Sequence, residues 1–260
     1  MRRFLFFVSR LFCLGDPNVG TRLRSLHVRS VLRRLVWDSV LDAGCSLSGQ
    51  VGWGGGIALN PFLLAIFNPS RLVTESDIDR GSISRNRSLL SSTHVANLSF
   101  SVLDLADPNN RPNQDAVVLS DVIANRDGDL KLLVGASKLT RPGGHIVVHT
   151  ISRLPSHEVQ TGQVMVGSTG YSIAELEQAL RSVGASNIHI KYTFGLFGGL
   201  AWRLHDRFLP LGYPFAVLMF PSCFLIGLWD LLVRNRTGRG LLAVGHIGSD
   251  GMECKCSQWH

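Results

Sequence analysis

The sequence predicts an α/β protein built on a doubly wound, seven-stranded and mostly parallel sheet. From about residue 37 onward, short apolar runs alternate with helical or loop stretches, as expected for a chain that forms a parallel sheet. Several of these runs end in an aspartate, which is typical of strands whose carboxyl ends meet at one ligand-binding edge. A chain of 260 residues, 45% of them hydrophobic, is long and apolar enough to bury the core that such a sheet requires.

Seven segments qualify as strands because each is short, largely apolar and bounded by polar or turn-forming residues. They are SVLDA (39–43), RLVTES (71–76), LSFSVLD (98–104), AVVLS (116–120), HIVVHT (145–150), NIHIKYT (187–193) and GLLAVGHI (240–247). Apolar residues at helical spacing before PGG (142–144) predict a helix and then a turn into the fifth strand. Ser172 and Glu175 form the pattern of a capping box at the start of a helix over 173–183, which Gly184 ends.

The pattern divides the chain into four parts. Residues 1–36 are expected to form an N-terminal amphipathic helical segment, because arginines alternate there with apolar residues and no signal-peptide cleavage site follows. Residues 37–195 form the predicted α/β domain. Residues 196–239 are an apolar helical insertion, acting as a membrane contact or a lid, and 240–260 hold the last strand and a polar tail.

The insertion contains the uncharged stretch FLPLGYPFAVLMFPSCFLIGLW (208–229), which is long enough to cross a bilayer by hydropathy alone. A single crossing would separate the sixth and seventh strands, although both are expected in one sheet with the seventh antiparallel beside the sixth. Pro210, Pro214 and Pro221 each disfavour one continuous helix, and arginines lie on both flanks. The sequence therefore predicts a monotopic or re-entrant hairpin. An insertion folded against the domain or a second subunit is the alternative.

Charge and cysteine content limit the partners and the compartment. The formal net charge is +7, and the basic residues cluster beside the apolar stretches, a pattern that favours an anionic membrane surface over nucleic acid. Arginines that only solubilise helix faces are the alternative. Five irregularly spaced cysteines indicate a reducing compartment such as the cytoplasm. No metal site is expected, since Cys254, Cys256 and His260 lack a second ligand pair at zinc spacing.

The strongest local signal is VLDAGCSLSG (40–49), a strand that ends in an acid and a glycine and continues into a loop of small residues. Such a loop lets the backbone approach a nucleotide in the crevice beyond the strand ends. Asp77, at the end of the second strand, is expected to accept hydrogen bonds from ribose hydroxyls. Asp104 and Asp121 follow the third and fourth strands, so that together with Asp42 four carboxylates should share one edge.

Five motifs in order make the chain resemble the Rossmann-like S-adenosylmethionine-dependent methyltransferases. VLDAGC resembles their first motif, ESDID the ribose-binding acid, VLDLAD the adenine-contacting segment, DAVVLSDVI the fourth strand and LTRPGGHIVVHT the following turn and strand. The resemblance covers roughly residues 37–195 and the last strand, and it implies S-adenosylmethionine as the cofactor. The cofactor-binding residues that it implies are Asp42, Gly44, Ser46, Gly49, Asp77, Ile78, Asp104, Leu105 and Ser120.

Two segments depart from the family pattern. Ser46 and Ser48 stand where the family has glycines, which adds side chains where the backbone should lie closest to the cofactor. The segment DVIAN ends in Asn125, where many relatives have a histidine. These departures leave open a catalytically degenerate, membrane-associated scaffold as the alternative to an enzyme.

Methyl transfer from a sulfonium is an in-line displacement, and a general base helps where the acceptor must lose a proton. His149, at the carboxyl end of the fifth strand, is the best-placed base, and Asp121 is the second catalytic candidate. A structural role for His149 is the alternative. We expect a small-molecule or lipid acceptor that is apolar or amphiphilic and is methylated on oxygen or carbon, because an apolar insertion is expected beside the crevice and the motif for nucleobase amino groups is absent. Residues 44–49 also lack the G-x-G-x-x-G pattern of nicotinamide-dependent oxidoreductases.

Overall fold

A computed structural model of the chain describes residues 18–43, 59–91, 93, 95–107, 114–124, 127–153 and 170–248. The strands are β1 (Ser39–Ala43), β2 (Leu72–Asp77), β3 (Leu98–Val102), β4 (Gln114–Ser120), β5 (Thr140–Ile151), β6 (Ala185–Thr193) and β7 (Gly240–Ile247). The helices are α1 (Val19–Leu32), α2 (Leu59–Phe67), α3 (Arg80–Ser91), α4 (Asp129–Leu139), α5 (Ile173–Ser182), α6 (Leu196–Phe208) and α7 (Tyr213–Leu228). Short 3-10 turns follow the last two helices at Leu209–Leu211 and Trp229–Leu231.

The seven strands form one sheet in the order β3-β2-β1-β4-β5-β7-β6. Every neighbouring pair is parallel except those made by β7, which lies antiparallel between β5 and β6. The predicted fold class is confirmed, including the antiparallel last strand and the helical insertion before it. β1 and β4 are adjacent in the sheet, and the chain leaves them towards opposite edges, so that the topological switch point lies between them.

Two strand boundaries differ from the sequence prediction. β3 ends at Val102, because Asp104 turns its carboxylate back to accept from the N–H of Ala106 at 2.8 Å. β5 begins at Thr140 instead of His145, and PGG (142–144) lies in a bulge of this strand and not in a separate turn. Gly143 supplies the φ of +82° that this bulge requires.

The start of α5 is formed as predicted. The N–H of Glu175 donates to Ser172 Oγ at 3.2 Å, and Glu175 Oε2 accepts from the N–H of Ser172 at 2.8 Å. This reciprocal pair satisfies two of the N–H groups that a helix start leaves without partners. Gly184 follows the helix with a φ of +86°, as expected of a glycine that ends a helix.

Apolar side chains fill both faces of the sheet. Helices α1, α2 and α3 cover one face around Trp37, Phe62 and Phe100, while α4 and α5 cover the other around Leu133 and Leu176. Each fully buried side chain of this size contributes about 1.5–3 kcal/mol relative to exposure. A third cluster joins α1 to α6 and α7. The N-terminal helix is therefore fixed both to the sheet and to the insertion.

The insertion is a pair of packed helices that returns the chain to the sheet. The break between α6 and α7 contains Pro210 and Gly212, and Pro214 lies in the first turn of α7. α7 continues through Pro221, so the break predicted at this third proline is wrong. One helical stretch, Pro214–Leu231, is long and apolar enough to cross a membrane, with a mean hydropathy of 1.6 and 22% of its residues buried.

Candidate active site

The carboxyl ends of β1, β4 and β5 meet at the switch point and bring four predicted site residues to one edge. Asp42 lies on β1, Ser120 and Asp121 lie at the end of β4, and His149 is the register partner of Ser120 on β5. An open α/β sheet binds its ligand in the crevice at this point. The edge predicted from the order of the motifs is therefore the one that the strands form.

Asp121 has an unusual backbone conformation directly after β4. Its φ is +57°, in the left-handed region that a non-glycine residue occupies only where its surroundings hold it. The N–H of Asp121 donates to the carbonyl oxygen of His149 at 2.8 Å, and its Oδ1 lies 3.0 Å from His149 Nδ1. Its Oδ2 lies 2.7 Å from Arg24 Nη1. Strain fixed by this many contacts is a frequent mark of a functional site.

The imidazole of His149 is buried, with 3% of the residue exposed, and both ring nitrogens face a partner. An ionised carboxylate only accepts hydrogen bonds, so Nδ1 carries the proton and donates to Asp121. Nε2 is then the acceptor for the hydroxyl of Thr193 at 3.1 Å. Burial lowers the pKa of His149, and the neighbouring carboxylate offsets this only in part. The imidazole is therefore neutral at pH 7 and positions Asp121, while its own surface is covered.

Asp121 is kept ionised by its neighbours. Burial by itself would raise the pKa of this carboxyl, but the Arg24 cation and the hydrogen bond from His149 outweigh it and hold the pKa below its usual value. The charge at the end of β4 is thus one carboxylate balanced by one guanidinium. The Nε–H of Arg24 is buried without a partner among the described residues, so the site retains one unsatisfied donor.

Two members of this network, Arg24 and Thr193, were missed by sequence reasoning. Arg24 lies on α1, where several arginines share the same spacing, and nothing in the local pattern separates the one that faces the sheet. Thr193 is the last residue of β6, which joins the sheet on the far side of β7, and its hydroxyl reaches His149 next to Gly240 of that strand. The position of Thr193 at the end of a predicted strand could have identified it as a site residue. No feature of the sequence identifies Arg24 in the same way.

Asp42 is the buried carboxylate of β1. Its Oδ2 accepts from Asn60 Nδ2 at 2.7 Å, and Asn60 Oδ1 in turn accepts from the hydroxyl of Ser25 at 2.9 Å. Burial raises the pKa of Asp42 to about 6, although the hydrogen bond from Asn60 acts in the opposite direction. Ionising this buried carboxyl costs free energy, and a cationic ligand in the nearby crevice would lower that cost.

Asp77 and Ile78 lie at the end of β2. Asp77 is buried, and its Oδ1 accepts from the N–H of Asp79 at 2.8 Å. Ile78 is 66% exposed, an apolar side chain beside a buried acid. Asp79 caps α3 by accepting from the N–H groups of Gly81 and Ser82. The two predicted residues therefore combine a fixed carboxylate with an open apolar surface.

Asp104 and Leu105 follow β3 and differ in their placement. Asp104 is exposed, as a crevice residue should be. The side chain of Leu105 lies in the core on the α4 side, where a Cβ on Gly135 would overlap its carbonyl oxygen. Because this side chain is buried, a contact between Leu105 and the cofactor would have to come from its backbone, and the assignment stays a prediction.

Several predicted positions cannot be placed. Gly44, Ser46, Gly49 and Asn125 lie outside the described residues. The same holds for the cysteine-rich tail, and the described part of the chain contains no group of three side chains arranged to hold a metal ion.

Aromatic rings cover His149 on the side of the insertion. The ring of Phe194 meets His149 edge-on with 5.9 Å between centroids, and it lies 6.0 Å from His27 and 6.2 Å from Trp202. Phe194 has a φ of +54°, so it is, after Asp121, a second residue at this site with a strained backbone. The surroundings of the site on this side are therefore aromatic and apolar.

No protein-family model matches the chain, and no curated protein matches it. Solved structures match most of its length. The cyclase SpnF has a TM-score of 0.58 at 13% identity, over 86% of this chain and 80% of SpnF. The fold is that of the S-adenosylmethionine-dependent methyltransferases. Phosphoethanolamine N-methyltransferase 2 of Haemonchus contortus, in complex with S-adenosyl-L-methionine, has a TM-score of 0.58 at 16% identity, over 86% of this chain and 52% of that one. A possible histamine N-methyltransferase from Thermotoga maritima has a TM-score of 0.53 at 12% identity, over 88% and 90% of the two chains.

These similarities show the fold and leave the reaction open. The chain spans about half the length of the Haemonchus enzyme and 55% of the methyltransferase SibL. One of the similar structures is named as a cyclase, so the same scaffold serves more than one reaction. Activity has to be argued from the residues at the edge of the sheet.

Proposed function

We propose that the chain is an S-adenosylmethionine-dependent methyltransferase acting on an apolar or amphiphilic small molecule or lipid, with transfer to oxygen or carbon. The observation that supports it most is the strained Asp121, held between Arg24 and His149 at the switch point of a methyltransferase fold. The buried carboxylates Asp42 and Asp77 lie on the neighbouring strands of the same sheet. Such a set of fixed charges suits a reaction that depends on alignment of its reactants.

The described residues fit the proposed cofactor. S-adenosylmethionine supplies a cationic sulfonium that carries the methyl group. Asp77 would accept from the ribose hydroxyls, and the exposed Ile78 offers an apolar surface for the adenine. Asp42, whose pKa burial raises to about 6, would gain from a cationic ligand nearby, because positive charge favours its ionised form. The proposed set also includes Ser120, Asp104 and residues 44–49.

Asp121 is the proposed group that faces the acceptor. Its carboxylate is ionised and its orientation is fixed, so it can accept a hydrogen bond from an acceptor hydroxyl and hold that oxygen in line. His149 is proposed to position Asp121, since both imidazole nitrogens are already used and the ring is buried. A proton leaving the acceptor would therefore move first to Asp121 or to water and not directly to the histidine.

The apolar character of the acceptor is proposed from the rings around the site. Phe194 lies between His149 and Trp202 of the insertion, and α7 contains no charged side chain. Phe194 is buried, so an apolar or amphiphilic acceptor would displace water from the partly exposed Trp202, which both strengthens binding and dries the reaction site. A small hydrophilic amine would gain little from the same surface.

The insertion is proposed to dock the protein on the cytoplasmic face of a membrane. α7 is apolar on all sides, and its outward residues Leu218 and Leu225 are 71% and 62% exposed. A contiguous apolar surface of this kind is typical of a membrane or protein contact. Because α6 and α7 pack together and the chain returns to the sheet, we propose a shallow or re-entrant contact and not a crossing.

The proposed function is tested by following a labelled methyl group. Protein incubated with methyl-labelled S-adenosylmethionine and a membrane extract should move label into the organic-soluble fraction. Asp121→Asn should reduce the initial rate by at least about 100-fold, the scale of one well-placed polar group at a reacting centre. Label that appears only in the aqueous fraction would contradict the proposed acceptor class, and no transfer at all would favour a scaffold without activity.

A further inference from the structure

A large groove lies on the α1 face of the sheet, separate from the crevice at the strand ends. Its volume is about 920 Å³, and it lies between α1, strands β6 and β7, and the segment 229–236. Lys191 on β6 and Arg34 after α1 line it, together with Arg234 and Arg236 of the segment that leads from the insertion to β7. Nothing in the proposed methyl transfer uses this groove.

The charge of the groove is strongly one-sided. Its described lining contains four cationic side chains of lysine and arginine against a single carboxylate, Asp230. Lys191, Arg234 and Arg236 form no ion pair with any described acidic residue. Burial lowers the pKa of Lys191, the nearby Arg34 cation lowers it further, and the Asp230 carboxylate offsets these effects only in part.

The one acid, Asp230, is already engaged elsewhere. Its Oδ2 accepts from the N–H of Phe194 at 2.8 Å and faces His27 Nε2 at 3.1 Å. Its Oδ1 accepts from the N–H groups of Gly195 and Gly198 at 3.0 and 3.1 Å. These bonds fix the end of the insertion to the start of α6 and to α1. The carboxylate therefore has a structural role, and Lys191, Arg234 and Arg236 can attract an anion.

The rim of the groove is apolar. Leu232 is 78% exposed, Val233 is also exposed, and both line the groove beside Arg234. Trp229, at the end of the insertion, continues this exposed apolar surface towards α7. Exposed cationic and apolar side chains that line one groove match an amphiphile with an anionic head and a hydrocarbon tail.

We propose that the groove binds the phosphate headgroup of an anionic lipid, while Leu232 and Val233 contact its acyl chain. The inference rests on the proposed membrane docking of the insertion and does not depend on catalysis. It gives the docked protein a preferred lipid, because an anionic headgroup would enter the groove while the exposed side of α7 contacts the bilayer. The same charges would attract any phosphate monoester, so the test has to separate a lipid from a soluble phosphate compound.

Cosedimentation with sucrose-loaded vesicles tests the proposal. One set of vesicles is phosphatidylcholine alone, and in the other about one third is phosphatidylglycerol. The test variant is Lys191→Gln/Arg234→Gln/Arg236→Gln, and the matched control is Lys131→Gln/Lys138→Gln/Arg181→Gln, whose exposed cations lie on α4 and α5 across the sheet. Each basic residue near an anionic surface strengthens binding about five-fold, so the test variant should bind the anionic vesicles about 100-fold more weakly than wild type. The control should stay within about three-fold of wild type, and both should bind phosphatidylcholine as wild type does.

Four results would overturn the proposal. The first is a test variant that binds anionic vesicles as well as wild type, and the second is an equal loss in the control, which would show only a diffuse effect of net charge. The third is that wild type binds soluble glycerol phosphate tightly while this compound leaves its vesicle binding unchanged. That result would assign the groove to a soluble compound. The fourth is equal binding of wild type to both vesicle types. In that case docking through α7 would stand and the headgroup site would not, whereas binding to neither would end the docking proposal as well.

Discussion

Arg24 Nη1 lies 2.7 Å from Oδ2 of Asp121, so helix α1 supplies the positive charge that the end of β4 requires. Both side chains are mostly covered, and His149 occupies the other carboxylate oxygen. An ion pair in such a position contributes more than a surface pair, because removing one partner leaves the other desolvated and uncompensated. The predicted site therefore depends on a helix of the N-terminal segment, which the sequence predicted to be amphipathic and helical.

Arg24→Met should lower the free energy of unfolding by about 1–3 kcal/mol at pH 7, as measured by urea denaturation. The pKa of Asp121 is lowered in the folded state, so its contribution is present above about pH 4, the ordinary range of the unfolded carboxyl, and is lost as the pH falls through the folded value. A double-mutant cycle with Asp121→Asn should give a coupling of at least about 1 kcal/mol. Arg181→Met, which removes an exposed pair with Glu177, should cost no more than about 0.5 kcal/mol. Equal costs for the two arginines would argue against a special role for Arg24.

Because Gly240 has no side chain, the side chains of His149 and Thr193 can pack against its backbone. A Cβ at this position would overlap Thr193 Oγ1 and lie 3.2 Å from His149 Nε2, whereas a Cβ on Gly248, just after the same strand, would meet nothing within 4 Å. Gly240→Ala should therefore lower the free energy of unfolding by about 1–3 kcal/mol, and Gly248→Ala should change it by less than about 0.5 kcal/mol. Thermal denaturation of the two variants beside wild type is the measurement. A Gly240→Ala protein as stable as Gly248→Ala would mean that the packing around His149 is looser than described.

Ionisation of Asp42 should lower the free energy of unfolding of the ligand-free protein as the pH rises. Its pKa is raised from 3.8 to about 6, so the neutral form is favoured on folding, and this contribution is present at pH 4 and lost as the pH passes 6. Asp42→Asn should thus be up to about 3 kcal/mol more stable than wild type at pH 8 and nearly equal to it at pH 4. Urea unfolding at both pH values gives the comparison, with the exposed Asp127→Asn as the control. The prediction fails if the stabilisation is the same at both pH values.

The proposed docking surface is tested by two pairs of leucines. Leu218→Gln/Leu225→Gln changes the exposed side of α7, and Leu72→Gln/Leu130→Gln changes exposed leucines at β2 and α4. Each buried leucine contributes about 1.5–3 kcal/mol to partitioning, so the first pair should weaken flotation with phosphatidylcholine vesicles by at least about 100-fold while the second pair floats as wild type does. If all three proteins stay in the soluble fraction, α7 is a folded lid or a subunit contact.

The fold could be predicted from the sequence because its signals are local. The alternation of apolar runs located all seven strands, and Ser172 with Glu175 located the start of α5 within one residue. The turn predicted at PGG (142–144) is wrong because a bulge in β5 uses the same residue types as a turn. Strand-end positions likewise identified Asp42, Asp121 and His149.

The remaining features of the site depend on contacts between distant segments. The bond from His149 to Thr193 and the ion pair from Arg24 to Asp121 join residues far apart in the chain, and no periodicity encodes them. The burial of His149 also required the structure, since a histidine at a strand end is equally compatible with an exposed base. Leu105 was assigned to the cofactor from its motif alone, and only the approach of α4 at Gly135 explains its burial.

Calorimetric titration of S-adenosylhomocysteine tests the central claim most directly. Wild type should bind, and Asp77→Ala should bind about 5- to 150-fold more weakly, the effect of losing about 1–3 kcal/mol of hydrogen bonding to the ribose. The exposed Asp38→Ala, which removes the same charge at the amino end of β1 and thus at the opposite edge of the sheet, should bind as wild type does. Wild-type protein that releases no heat of binding at millimolar ligand would contradict the account, as would an Asp77→Ala protein that binds as tightly as wild type.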